Sequence, residues 1–129
     1  MLKFESKSFS SSQDVRKFDK GKVEIVIVAG ASIGRATFEP GWKWSTCVTP
    51  LAKTNSCQAA HYGFQLSGTM TTRMDDGTEW TSKAGDVLNI PAGHDAWVVG
   101  NEPVVLIDFQ GMADYARQSK AEPIGSDSI

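Results

Sequence analysis

The sequence predicts an all-β fold, an antiparallel sandwich or barrel of many short strands, and three observations carry that expectation. Glycine and proline interrupt the middle of the chain at short intervals, from Gly30, Gly34 and Pro40-Gly41 through Pro50, Gly63, Gly68, Gly77, Gly85, Pro91 and Gly93 to Gly100 and Pro103. The segments between them run to roughly four to eight residues rich in β-branched and aromatic types, too short for helices and suited to strands. Lastly, Asp75-Asp76-Gly77 separates Met70-Thr71-Thr72-Arg73-Met74 from Thr78-Glu79-Trp80-Thr81, and Asp-Gly supplies the positive φ angles of a tight hairpin turn.

Taken in order, residues 8–20 are mostly polar, with Val15 and Phe18 three apart, so residues 1–20 read as an N-terminal arm or cap outside the core. Strands are expected at residues 23–28, 35–38, 42–48, 57–66, 70–74, 78–81, 86–90, 95–99 and 104–109, giving one β domain over residues 21–111. After Gly111 the composition shifts, and residues 112–121 suit a short helix before a polar, mobile tail. One apparent motif dissolves on inspection. Val26-Ile27-Val28-Ala29-Gly30-Ala31-Ser32-Ile33-Gly34 imitates the strand and glycine turn that open a dinucleotide-binding unit. The helix that must follow is missing, because Thr37-Phe38-Glu39-Pro40-Gly41 closes the segment, so Gly30 and Gly34 read as a bend between two strands.

Composition narrows the function. A chain of 129 residues is one domain with a real core. Its 13 basic residues against 15 acidic ones leave a net charge of -2, so no basic field exists to bind nucleic acid or anionic lipid. No apolar run reaches the roughly 20 residues needed to span a bilayer. The charged start, Met1-Leu2-Lys3-Phe4-Glu5, leads into no apolar stretch, so no secretory signal is expected and a cytoplasmic location is the default. Two cysteines, Cys47 and Cys57, are too few for a disulfide framework and agree with free thiols.

The most informative stretch is Gly85-Asp86-Val87-Leu88-Asn89-Ile90-Pro91-Ala92-Gly93-His94: a glycine turn, a short strand and a Pro-x-Gly corner. It resembles the second motif of the cupin superfamily, G-x5-P-x-G-x2-H, with Gly85, Pro91 and Gly93 in register. Upstream, His61-Tyr62-Gly63-Phe64-Gln65-Leu66-Ser67-Gly68 resembles the end of the first cupin motif, E-x6-G, with Gly68 matching and His61 where glutamate is usual. The resemblance covers residues 36–109 and implies a double-stranded β-helix, the jelly-roll barrel of cupins, with homodimers common. The apolar sets Val23, Ile25, Ile27 and Tyr62, Phe64, Leu66 offer surface for such a dimer.

The family pattern implies a metal held by three histidines and a glutamate. With two histidines in the whole chain, one subunit cannot assemble that set, although a partner could add to it. In the second motif the usual ligand position falls on Ala96, and His94, two residues earlier on the same strand face, points the same way. In the first motif, counting back from His61 puts Cys57 and Asn55 at the histidine positions, whereas counting forward from Gly41 puts Cys47 and Thr49 there. The first registration is preferred, because Cys57, Ala59, His61, Gly63 and Gln65 then share one strand face.

On that reading Cys57, His61 and His94 converge inside the barrel as ligands of zinc or another divalent transition metal, with a coordination position left for water or substrate. Gln65, Ala96 and Trp44 are the expected pocket residues. A carboxamide on the lumen face needs a partner, which points to a polar pocket. The plainer alternative is two histidines satisfied by backbone carbonyls and a buried thiol acting as a small hydrophobe. No serine sits in a nucleophile elbow, no carboxylate pair faces the lumen, and no glycine loop suits a phosphate.

Function is therefore expected to lie in binding a small molecule in the barrel lumen, with or without a metal beside it, as a sensor or accessory module. The competing expectation is a metal-dependent oxygenase, isomerase or lyase acting on a small polar substrate, or a metal-free variant using His61 and His94 as an acid-base pair.

Overall fold

The described residues of the computed structural model are 3–110, 112 and 115, and they form nine strands in two antiparallel sheets around one core. The strands are β1 (Asp14–Phe18), β2 (Gly21–Val28), β3 (Ala31–Phe38), β4 (His61–Ser67), β5 (Thr69–Met74), β6 (Glu79–Lys83), β7 (Val87–Ile90), β8 (His94–Val99) and β9 (Val104–Asp108). One sheet runs β1-β2-β3-β9-β4-β7 and the other β6-β5-β8.

Two tight turns set the registers. Asp75-Asp76-Gly77 joins β5 to β6, with Gly77 at φ +93°, and Arg73 opposes Glu79. Ala29 and Gly30, at φ 51° and 80°, join β2 to β3. Positive φ at both central residues is the type I′ geometry of a two-residue hairpin, so Gly30 makes the turn, whereas Gly34, expected in the same bend, lies within β3 opposite Ile25.

Alternation then fills the core. Val23, Ala36, Phe38, Met70, Val98, Val104 and Leu106 turn inward from both sheets, and Trp42 stacks on Phe38 with ring centroids 3.8 Å apart and planes at 17°. Truncating Phe38 removes the centre of this stack. Phe38→Ala should cost ~3–5 kcal/mol of stability, read from the denaturant midpoint.

Four features of the fold differ from what the sequence predicts. Residues 42–48, expected as a strand, instead contain helix α1 (Trp44–Cys47), followed by α2 (Thr49–Ala52). From Trp44 onward the buried residues are Trp44, Cys47 and Val48, a spacing of three and four that fits a helical turn better than a strand. Residues 14–18, expected within an arm, form β1 and pair along β2. Val23 and Ile25 are buried in the core, so of the first apolar set offered for a dimer only Ile27 is exposed. Residues 57–60 lie outside β4, which begins at His61. Apart from Met112 and Tyr115, both buried, the expected C-terminal helix and tail lie outside the described residues.

β4 alternates as the sequence suggests: His61 and Gln65 are buried, whereas Tyr62, Phe64 and Leu66 face out. Gly63 between them permits an unusually close crossing, since a Cβ there would lie 1.9 Å from the carbonyl oxygen of Ile107 on β9. Glu24, buried on β2, is held by two hydrogen bonds from Arg35, at 2.9 and 3.2 Å, and they keep its carboxyl below the usual range. No helix among the described residues is long and apolar enough to cross a membrane.

Candidate metal centre

Three side chains from two distant segments meet at one end of the barrel. His61 opens β4 and His94 opens β8, immediately after the Pro91-Ala92-Gly93 corner, where Gly93 takes φ +88°. Cys57 reaches them from a loop rather than a strand. Its backbone clamps onto the start of β8, with Cys57 N donating to His94 O at 2.7 Å and Gly93 N donating to Cys57 O at 2.7 Å. The loop thus borrows the order of the strand it touches.

The ligating atoms of Cys57, His61 and His94 all lie within 4.8 Å of one another, and all three residues are buried. Cys57 Sγ is 3.6 Å from His61 Nε2. Both imidazoles are committed at the other nitrogen. His94 Nδ1 lies 2.8 Å from Pro91 O, and because a carbonyl only accepts, Nδ1 carries a proton there and Nε2 is the nitrogen left to face the other two residues. His61 Nδ1 donates to Asp108 Oδ2 at 2.5 Å. Asp108 is itself fixed, as its Oδ1 accepts from the backbone N–H of Tyr62 at 3.2 Å and of Gln110 at 2.9 Å.

The electrostatics follow from this packing. Burial pushes the Cys57 thiol up, but hydrogen bonds from His61 and His94 and the charges of both rings outweigh it and bring the thiol down to about 6. Burial likewise pushes His61 down, and its hydrogen bonds to Asp108 and Cys57, with their negative charges, raise it to about 9. Without a metal, the pair at neutral pH is therefore a thiolate beside an imidazolium. Tyr115, whose ring centroid is 5.5 Å from that of His61, is pushed well above its ordinary value by burial first and by the charges of Cys57 and Asp108 next, so its hydroxyl stays protonated.

This donor set suits a divalent transition metal. Tetrahedral zinc with its usual bond lengths to sulfur and nitrogen has an S···N edge of about 3.6 Å, which is the separation between Cys57 and His61. The arrangement in which each imidazole gives its outer N–H to a carboxylate or carbonyl is how protein metal ligands are oriented. One sulfur and two nitrogens also leave a coordination position for a small molecule.

A small cavity of about 30 Å³ adjoins the two histidines. Trp44 and Ala96, expected at a pocket, are in its wall together with Phe38, Trp42, Met70 and Ile90. Leu106, Met112 and Tyr115 complete it. The expectation of a polar pocket fails on this composition. Gln65 is absent from the lining: it is fully buried, and its Nε2 donates to Gly68 O at 2.9 Å beside the irregularity where β4 meets β9. Its Nε2 satisfies backbone, whereas its buried Oε1 has no partner among the described residues. Cys47 is not part of this group; it is a free, buried thiol whose Sγ lies 3.7 Å from Asp19 Oδ2.

Sequence reasoning passed over Asp108 and Trp42. Asp108 carried a signal, since it continues the buried parity of Val104 and Leu106 on β9, and an acid on a core-facing position must have a partner. Trp42 is a different case. Its indole Nε1 is buried and finds no partner among the described residues, and only the fold reveals that.

No protein-family model matches the chain, and no curated protein does. Solved structures do resemble it. It is similar to the cupin domain of Cnp3 from Schizosaccharomyces pombe, at 14% identity and a TM-score of 0.53, covering 80% of this chain and 66% of that one. A cupin-like protein from Thermotoga maritima is similar at 20% identity and a TM-score of 0.50, over 76% and 72% of the two chains. Oxalate decarboxylase from Bacillus subtilis is similar at 24% identity and a TM-score of 0.52, over 74% of this chain. This chain spans only 26% of that enzyme. What these structures share with it is the arrangement of strands.

Proposed function

With a cupin-like β-barrel as the premise, we propose that this protein is a small-molecule-binding module whose lumen holds zinc or a similar divalent transition metal on Cys57, His61 and His94. One observation carries the reading: a sulfur and two imidazole nitrogens gather within 4.8 Å, with the opposite nitrogen of each ring already engaged at 2.5 and 2.8 Å. The bound ion would supply a Lewis acid and an open coordination position. The chain's own residues do the rest. Asp108 and Pro91 O hold the rings in one orientation, and mostly apolar side chains line the cavity beside the remaining position.

Binding is favoured over turnover by what the cavity lacks. Apart from the two histidines and Tyr115, no lining side chain among the described residues can give or take a proton. Tyr115 stays protonated, which removes it as a base. The module therefore suits sensing or accessory binding.

Elemental analysis of protein purified without an affinity tag tests the metal. The expected content is ~1 equivalent of a transition metal, and less than about a tenth of an equivalent, after dialysis against zinc as well, overturns the reading. The protonation states add a signature. Zinc must displace the proton from His61 Nε2, so between about 6 and about 9 its affinity should rise roughly tenfold per pH unit. Below about 6 Cys57 is protonated too and the slope should double, and above about 9 it should flatten. Competition titrations with a chromophoric chelator across that range measure it.

A further inference from the structure

The thiol of the candidate centre is also the group there that a two-electron oxidant can change. We propose, resting on the metal reading above, that Cys57 is a modification site for hydroperoxides, and that its oxidation to the sulfenic acid releases the ion.

The neighbours of the sulfur set it up for nucleophilic attack. Cys57 Sγ lies 3.6 Å from His61 Nε2, and His61 Nδ1 donates in turn to Asp108 Oδ2, a thiol–imidazole–carboxylate chain of the kind that activates cysteine nucleophiles. His94 belongs to the same group, from a second strand, with its ligating nitrogen within 4.8 Å of the sulfur. The backbone N–H groups of Cys57, Gly93 and His94 are spent on the carbonyls of the bridge between the loop and β8, so they offer no oxyanion hole for acyl transfer. A hydroperoxide needs none. The sulfur attacks its terminal oxygen, an S–O bond forms as the O–O bond breaks, and the departing hydroxide or alkoxide takes a proton from water. Sulfur loses two electrons and the peroxide gains them.

The product no longer offers a thiolate, which leaves two imidazoles for the ion. Cys47 is outside the group and its hydrogen bonds go to Thr46 and Asp19, so it stands apart as a resolving thiol and has no imidazole to activate it. Return therefore falls to an external thiol, which forms a mixed disulfide with loss of water and is displaced by a second thiol. Cys57 and Cys47 are almost equally buried, at 3% and 5% exposure, so Cys47 is a built-in control for reactivity. What separates them is the surroundings: His61 and His94 both line the half-open cavity, and that is the approach to the Cys57 sulfur.

The test treats zinc-loaded full-length protein with hydrogen peroxide in the presence of a chromophoric chelator and of dimedone, which traps sulfenic acids. Zinc should be released in step with trapping, and peptide mass mapping should find the adduct on Cys57 and not on Cys47. In a parallel sample without dimedone, the oxidised protein should bind zinc more than ~100-fold more weakly, beyond the loss expected for an outer partner, and dithiothreitol should restore both the thiol and the affinity. Cys47→Ser should respond as the parent does. An adduct on Cys47 alone, zinc retained with Cys57 unmodified, or zinc lost while Cys57 is still a thiol overturns the proposal and leaves the metal centre standing. Failure to take up zinc overturns the metal reading and the release with it, and trapping on Cys57 of the metal-free protein then decides the modification alone.

Discussion

His61→Ala should weaken zinc by more than the ~10–100-fold that loss of an outer partner costs, because it removes a ligand outright. The same substitution should cost the metal-free protein ~1–3 kcal/mol, since Asp108 is buried and loses its charged partner. The two effects are separable by experiment. Asp108→Asn keeps the volume and should leave the ligands in place while lowering affinity by ~10–100-fold. Chelator competition gives the affinities, and chemical denaturation of the metal-free forms gives the stabilities. A His61→Ala protein that binds zinc as the parent does would remove the proposed centre.

Gly63→Ala should be the most damaging glycine-to-alanine change among the described residues. The added carbon would lie 1.9 Å from Ile107 O, 2.9 Å from Ile107 C and 3.0 Å from the Cα of Asp108, all backbone atoms that no rotamer change can clear. Relief requires β4 and β9 to part, and these strands carry His61 and Asp108. A loss on the order of 3 kcal/mol or more is expected, together with weaker metal binding, because the bond that orients His61 spans the same gap. Thermal unfolding checks the first and zinc competition the second; an unchanged unfolding midpoint would contradict the close crossing.

The parts of this molecule that were legible in the sequence are those written in local chemistry. Asp-Gly and the regular glycines announce the turns, and alternation on β4 assigns His61 inward and Tyr62 outward with no knowledge of partners. Cys57 shares parity with His61 in the sequence, yet a bridge to His94 places it, not membership of β4. Trp42 to Val48 misled because its apolar residues satisfy both a two-residue and a three-to-four-residue period, and burial against the core selected the helix. Gln65 misled differently. Its need for partners was real, but they came from a kink in strand pairing that no residue pattern advertises. Asp108 lies 47 residues from the ring it orients, and pairing over such a distance is decided by topology.

The edge strand β1 reaches further than its position suggests. Arg16 donates from Nη1 to the carbonyl oxygens of Met112 and Tyr115, at 3.1 and 2.9 Å, and both of those residues help enclose the cavity. The beginning of the polypeptide thereby acts as a latch on the far end of its own binding chamber. Trimming or tagging that could look harmless on a topology diagram would loosen the chamber's floor.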